Sequence, residues 1–316
     1  MASGHHACGP APITVTFDIE DHRPSPSWEA RYPALTMRLL DELDDLGVRA
    51  TCFVVGEVAA NAPGLVREIA ERGHEVGLHS YRHWATFAYE PALFRREIGD
   101  GRRLLEDLTG SPVAGYRAPA GTIMPRCAWA TDVLAEVGFA YSASVLPVQS
   151  YVVGFPGAPA TPFVWPSGLV ELPCPCVSVG PVGMPFLGGT FLRVFPMPLV
   201  RALRNRLDDP ALVPWSYLHP YDIDVEEPFW VVPEVQWWGS LLLWVNRGVA
   251  LRKLRAIVAG GVGAPLGERV AAIAGDLPLF DPDLVGGVAG SSGVAGVLER
   301  REMVRSMAPE RAVAGA

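Results

Sequence analysis

The sequence predicts an α/β fold in which parallel strands alternate with helices and close, or nearly close, into a barrel. Two patterns predict it. Short β-branched or apolar runs alternate with helical periodicity about seven times before residue 218, more repeats than a half-sheet comfortably holds. Polar residues also recur at the C-terminal ends of those runs, as Asp18, His79, Arg117 and His219. In a β/α barrel that rim is where chemistry is assembled.

The elements follow in order. Ile13-Thr14-Val15-Thr16-Phe17 is a buried strand that stops at a cluster of acids. Over residues 33–46, Leu35, Leu39, Leu40, Leu43 and Leu46 recur at helical spacing until Gly47 caps the helix. Residues 50–55 form the second strand, and 63–72 a helix opened by Pro63 and closed by Gly73. The third strand, 75–78, delivers His79. A long helix over 91–108 carries alternating charges on its outer face and precedes a short strand, 113–116, that leads to Arg117. A helix over 128–137 and strands at 139–141, 169–172 and 213–218 follow, with a helix at 198–207 between the last two. Residues 173–189 are rich in Gly and Pro and read as loop. A final helix is expected over 246–258. After Gly260 no core-building pattern is convincing, and 286–316 is expected to be mobile apart from a short helix near 297–307. The expected organisation is therefore a flexible 1–12, a barrel domain over 13–260 and a partly disordered extension over 261–316.

Bulk properties narrow the function. A hydrophobic fraction of 49% over 316 residues is ample for a buried core. The net charge of −8 provides no basic footprint for nucleic acid and disfavours adsorption to anionic membranes. No apolar stretch reaches the roughly 20 residues needed to span a bilayer. Residues 1–12 show neither a positive region nor an apolar run, and the five cysteines are odd in number and irregularly spaced. Both features predict a cytoplasmic enzyme. Cys174-Pro175-Cys176 lacks the spacer of a redox or zinc motif and reads as ordinary strand or loop. The tryptophan-rich residues 229–244 are a candidate interface, for instance in a homo-oligomer.

Hydrolysing an amide near neutral pH needs a nucleophilic water, a stabilised oxyanion and a protonated leaving amine. A divalent metal serves the first two when the protein leaves coordination positions open. His79-Ser80-Tyr81-Arg82-His83 starts at a strand end and enters a turn or helix, where i, i+4 spacing puts both imidazoles on one side. A carboxylate from another strand would complete the set, and Glu20 or Asp21 is available. Alone, an H-x-x-x-H pair is more often structural, and a strand-end Asp more often caps a helix. Together at the ends of neighbouring parallel strands they point to a site.

At these residues the chain resembles the polysaccharide deacetylases, carbohydrate esterase family 4. Five motifs match in order across residues 13–222. Thr16-Phe17-Asp18-Ile19-Glu20-Asp21 resembles the aspartate-bearing first motif, and His79 to His83 is similar to H-[ST]-x-x-H. Arg117-Ala118-Pro119-Ala120-Gly121 is similar to R-x-x-P-x-G, Gly138 to Ser142 sits at the fourth motif, and Tyr217-Leu218-His219-Pro220 resembles the closing leucine-histidine motif. The D-x-E-D form, with Gly188-Gly189-Thr190-Phe191 and the run from His219 to Asp224, looks closer to bacterial members associated with exopolysaccharide and cell-surface glycan loci.

The resemblance implies a distorted (β/α)7 barrel, TIM-like, and a metal-dependent N-deacetylase of a sugar or small N-acetylated compound. Asp18 would be the base, oriented by Arg117 through a charge-assisted pair. His79 and His83 would hold the metal with one acid of the first motif. Most of the family places that acid directly after the base, where this chain has Ile19. Related D-x-D forms favour Glu20 by spacing, whereas Asp21 has the usual side-chain type. Zn²⁺ is the first expectation, and such donors also accept Co²⁺, Ni²⁺ or Mn²⁺. His219 would protonate the departing amine, Leu218 would line the acetyl pocket, and the Tyr81 N–H would face the oxyanion. Trp84 is the best placed tryptophan for stacking on a sugar, and Pro119 lies in the third motif beside the substrate. Relatives usually carry an aspartate where this chain has Ser142. The competing readings are an allantoinase-like cyclic amide or imide hydrolase and a non-catalytic glycan-binding relative. His74 reads as an exposed turn residue, and His22 as a rim residue able to touch substrate.

Overall fold

In the computed structural model the described residues are 11–148, 153–179, 182–207, 209–233 and 237–285. Ten strands are present among them: β1 (Thr14–Ile19), β2 (Thr51–Val54), β3 (Glu75–Leu78), β4 (Gly115–Tyr116), β5 (Tyr141–Ser142), β6 (Phe163–Val164), β7 (Val170–Glu171), β8 (Cys176–Val179), β9 (Val182–Pro185) and β10 (Trp215–Leu218). Eight form one curled sheet in the order β10-β1-β2-β3-β4-β5-β7-β6, parallel throughout except for the β6–β7 pair. This is the distorted β/α barrel that the pattern predicts, left open between its edge strands. Trp215 spans the opening by donating its indole N–H to the Leu172 carbonyl, 3.2 Å away.

Helices α1 (Tyr32–Leu46), α2 (Gly56–Asn61), α3 (Pro63–Glu71), α4 (Pro91–Thr109) and α5 (Trp129–Val137) follow the early strands. Later come α6 (Gly189–Val194), α7 (Met197–Arg204), α8 (Trp237–Trp244), α9 (Ala250–Val258) and α10 (Leu266–Ile273). Strand alternation sorts the side chains. Val15, Phe17, Ile19, Cys52, Val54, Val76, Leu78 and Leu218 face the helices in the main core. Thr14, Thr16, Asp18, Phe53, Gly77, Arg117, Tyr141, Trp215, Tyr217 and His219 belong to the other, inner face. Space inside is tight. A Cβ on Gly77 would lie 2.6 Å from the Phe53 ring, and one on Gly115 would lie 2.3 Å from the Tyr141 hydroxyl.

The extension differs from expectation. Residues 261–285 are part of the barrel: Ile13 exchanges backbone hydrogen bonds with Gly261 and Gly263, and Phe280 pairs with Val164 on the β6 edge. Helix α10 plugs the N-terminal end of the barrel with Leu266 and Val270. Glu75 receives its first turn, accepting from the Gly267 N–H at 3.0 Å and from Thr51 Oγ1 at 2.7 Å, where a carboxylate complements the positive end of the helix. Two large side chains in one turn suffice because the plug is small, so the periodicity is too short to read. Further elements were not expected, among them β6, α6 and α8. The Gly- and Pro-rich stretch holds the antiparallel β8–β9 hairpin, and α2 fills the space before α3. His74 is buried rather than exposed, with Nδ1 accepting the Ala50 N–H at 3.2 Å. Helix α8 leaves Trp237, Trp238, Leu241 and Leu242 exposed. No helix among the described residues is long and apolar enough to cross a membrane. The flexible tail expected at 1–12 falls almost wholly outside the described residues, as do all of 286–316 and the short helix near 297–307.

Gly115→Ala should force the Tyr141 ring from its place and destabilise the fold by about 1–3 kcal/mol, the usual penalty for overpacking. Urea denaturation followed by far-UV circular dichroism measures it, and an unchanged midpoint would contradict the packing described.

Candidate active site

The C-terminal rim of the sheet gathers Asp18, Glu20, His79, His83, Arg117 and His219 around one cavity of about 350 Å³. All but His83 arrive by strand alternation. Asp18 and Glu20 are two residues apart and share a face, and His79, Arg117 and His219 each follow the last residue of a strand. His83 arrives by a turn rather than a helix. Ser80 and His83 adopt left-handed backbone (φ 61° and 59°), a costly conformation for non-glycine residues, and the chain folds back until the two rings lie 5.1 Å apart.

Glu20, His79 and His83 each offer one ligand atom, all within 4.8 Å of one another. His79 donates its Nδ1 proton to the Arg117 carbonyl oxygen at 3.0 Å, leaving the Nε2 lone pair for the cavity. Glu20 Oε2 is buried without a hydrogen-bond partner and lies against His83 Nε2. Two imidazoles and a carboxylate fit a first-row divalent cation. Burial is the largest influence on His79 and pulls its pKa down to about 4, so the ring is neutral at pH 7. Burial pushes the Glu20 carboxyl up, but the imidazoles outweigh it and hold the group well below the carboxylate range.

Arg117 Nη1 donates to Asp18 Oδ1 at 2.7 Å and to Thr16 Oγ1 at 2.8 Å. Its guanidinium is sandwiched between Phe53 and Trp215, 4.1 and 4.2 Å from the ring centroids. Burial alone would raise Asp18, yet the guanidinium and the two nearby imidazoles leave its pKa lowered. Its second oxygen, Oδ2, lies 3.8 Å from both His79 Nε2 and His219 Nε2. His219 faces the opposite influence. Burial lowers it, but Asp222 and the two carboxylates across the cavity push it up to about 9. A carboxylate and an imidazolium thus sit on either side of one small space.

Asp21 does not join the donors. One residue on from Glu20 it points the other way, exposed, and pairs with Arg23 at 2.7 Å. Leu218 does not line the cavity either: it faces the helices, and its neighbour Tyr217 faces in. The Tyr81 ring packs against Gly56 and Gly101, away from the site. Trp84 packs tilted against Tyr89 with Arg82 over its face. Pro119 is buried, while its neighbours Ala118, Ala120 and Gly121 form that wall. His22 is held by Glu227 at 3.0 Å in an adjoining cleft. The opposite wall is apolar and comes from Leu146, Val153, Pro185 and Phe191, with Cys174 beside them. Phe191 and Pro185 lie on elements that the Gly- and Pro-rich stretch concealed.

Residues 7–141 match the family model described as polysaccharide deacetylase. These residues form a polysaccharide deacetylase domain. Residues 143–261 match a second model, a domain of unknown function (DUF3473). The boundary divides the rim: Asp18, Glu20, His79, His83 and Arg117 precede it, and His219 follows. A peptidoglycan-N-acetylglucosamine deacetylase of Bacillus cereus is 32% identical over 39% of this chain and 41% of its own length. A chitooligosaccharide deacetylase of Bradyrhizobium is 34% identical over 36% of this chain and 49% of its own length. The chain thus matches less than half the length of these curated relatives. A solved structure from Mycobacterium smegmatis, assigned as a polysaccharide deacetylase, superposes over 86% of this chain and 97% of its own with a TM-score of 0.57 at 22% identity, a likeness of fold.

Glu20→Ala should weaken Zn²⁺ binding by more than about 100-fold, whereas Asp21→Ala should leave it unchanged, since loss of a ligand exceeds the effect of outer contacts. Equilibrium dialysis of the reconstituted variants separates the two, and the reverse order would reassign the carboxylate.

Proposed function

We propose that this protein is a metal-dependent N-deacetylase that hydrolyses the acetamide of an N-acetylated amino sugar. One observation carries the reading. An ionised carboxylate and a cationic imidazole approach to 3.8 Å beside a Glu-His-His donor set inside a single cavity. A binding module needs no such pairing of base, acid and cation ligands. The relatives named as deacetylases support the reaction class, and the intact donor set favours it over a cyclic amide opener.

A cation held by Glu20, His79 and His83 would supply Lewis acidity to the amide carbonyl and acidify a water beside it. Zn²⁺ suits these donors best, ahead of Co²⁺, Ni²⁺ and Mn²⁺ in availability rather than affinity. Asp18 takes the water proton on Oδ2, because Oδ1 is occupied by Arg117. His219 delivers its Nε2 proton to the departing nitrogen, so the products are acetate and a free amine. The Tyr81 backbone N–H receives the oxyanion. The acetyl methyl rests against Tyr217 and Trp215, which occupy the inner face that Leu218 does not. The D-x-E-D motif and the Gly188 to Phe191 run point to a glycan of an exopolysaccharide or cell-surface pathway as the substrate.

Acetate release from a panel of N-acetylated oligosaccharides and sugar nucleotides tests the reaction. Release should stop on chelation and return with Zn²⁺; full activity after chelation, or no release from any of them, would overturn the reading. Asp18→Asn should reduce kcat by about 10²–10⁴-fold, the range for loss of a general base, while the bound metal stays in place. The rate should be sustained at neutral pH and fall as pH rises through about 9, where His219 loses the proton it must donate. A profile that rises through that range would exclude His219 as the acid.

A further inference from the structure

His219 follows β10 and caps a single 3₁₀ turn, Pro220–Ile223, that brings Asp222 back beneath it. Asp222 Oδ2 accepts both the His219 backbone N–H at 2.8 Å and the ring Nδ1 proton at 2.9 Å. Two bonds from one residue to one oxygen fix the imidazole relative to its own backbone. The other oxygen, Oδ1, forms an ion pair with Arg193 Nε at 2.8 Å, and both side chains are fully buried. Arg193 is anchored in turn, donating from Nη1 to the Val245 carbonyl at 2.5 Å and from Nη2 to Thr190 Oγ1 at 3.1 Å. Tyr221 stacks on the imidazole at 4.6 Å and nearly parallel, closing its outer face.

The glycines before Arg193 explain how α6 comes so near. A Cβ on Gly188 would lie 2.2 Å from the Tyr217 carbonyl oxygen, and Gly189 has φ +49°, with an added Cβ 3.0 Å from the Tyr217 ring. Only a Gly-Gly start lets the helix lie against the end of β10. Meanwhile Ser142, the fourth-motif position without a carboxylate, is turned to Ser144 at 2.8 Å.

We propose that Asp222 and Arg193 are the positioning residues of His219, a buried Arg–Asp–His relay that lies wholly within the segment matched by the domain of unknown function and replaces any carboxylate at Ser142. Asp222 fixes the Nδ1–H tautomer, so Nε2 faces the cavity, 3.8 Å from Asp18 and 3.9 Å from Glu20. Arg193 prevents that carboxylate from rotating away. Both act through the histidine and neither touches substrate. The ionisable groups facing the ring are Asp18, Glu20 and His83 across the cavity, Asp222 behind it, Tyr221 against its face and Tyr217 edge-on to it.

The kinetic part of this inference rests on the deacetylase reading; its structural part does not. In zinc-loaded full-length enzyme, Asp222→Asn should lower kcat by about 10²-fold or more with KM changed less than about threefold, and should move the alkaline fall in rate at least about one pH unit lower. Arg193→Lys, which keeps the charge but not the fork, should give a smaller loss in the same direction. Folded, metal-loaded Asp222→Asn with wild-type kcat and an unmoved alkaline limb would overturn the relay. Should the variants not fold, ¹⁵N NMR of the unaltered protein decides, with the signal assigned by comparison with His219→Gln. A protonated Nδ1 at His219 supports the relay, and an unprotonated one overturns it. If no N-acetylated compound is turned over, the deacetylase reading fails by itself and the NMR result still judges the relay.

Discussion

The site depends on Arg117 lying across the inside of the sheet. Its guanidinium binds Thr16 and Asp18 on β1, rests between Phe53 of β2 and Trp215 of β10, and donates from Nε to the Ala143 carbonyl beyond β5. Its own carbonyl receives His79. One residue therefore sets the positions of Asp18, His79 and the two strands flanking β1. Burying that charge is expensive, and an apolar interior of equal volume would be no less stable. What the ion pair contributes is geometry. A planar, five-donor cation held between two rings has one orientation, and a lysine there would lose both the fork and the stacking.

With Arg117 in place, opposite electrostatics follow on the two sides of one cavity. Asp18 is kept ionised by the cation beside it, and His219 is kept protonated by carboxylates in front and behind. Asp18 is buried and His219 largely so, and loss of solvent alone would neutralise both. The charged partners decide the outcome, because each stands in direct contact while solvent is excluded. His79 shows the contrast. Its ring proton is spent on a neutral carbonyl, no carboxylate outweighs the burial, and the ring stays neutral as a ligand must.

Much of this was legible in the sequence because strand alternation has a period of two. It places Asp18 and Glu20 on one face, and applied strictly it would have excluded Asp21 and turned Leu218 toward the helices. The family's usual side-chain types argued for both residues, and the alternation overrode them. What alternation cannot reach was not legible. The β8–β9 hairpin lies in a stretch whose Gly and Pro content reads as loop, and α10 plugs the barrel with two side chains, too few for a period. His74 follows a Gly turn, and nothing local distinguishes a buried acceptor there from an exposed ring.

The relay behind His219 is hidden for a different reason. Asp222 lies three residues from the histidine and could be guessed from a turn, but Arg193 is far upstream on a helix that the sequence did not announce. Its partner is chosen by the approach of α6 to β10, which depends on two glycines having no side chain. A charged residue in a six-residue helix carries no signal of its own until that approach is known. The division between the two matched segments therefore coincides with a division of labour. The first supplies Asp18, Arg117 and the Glu20, His79 and His83 cluster through a strongly patterned strand series. The second supplies His219, legible at its strand end, and behind it Asp222 and Arg193, which only tertiary packing brings together.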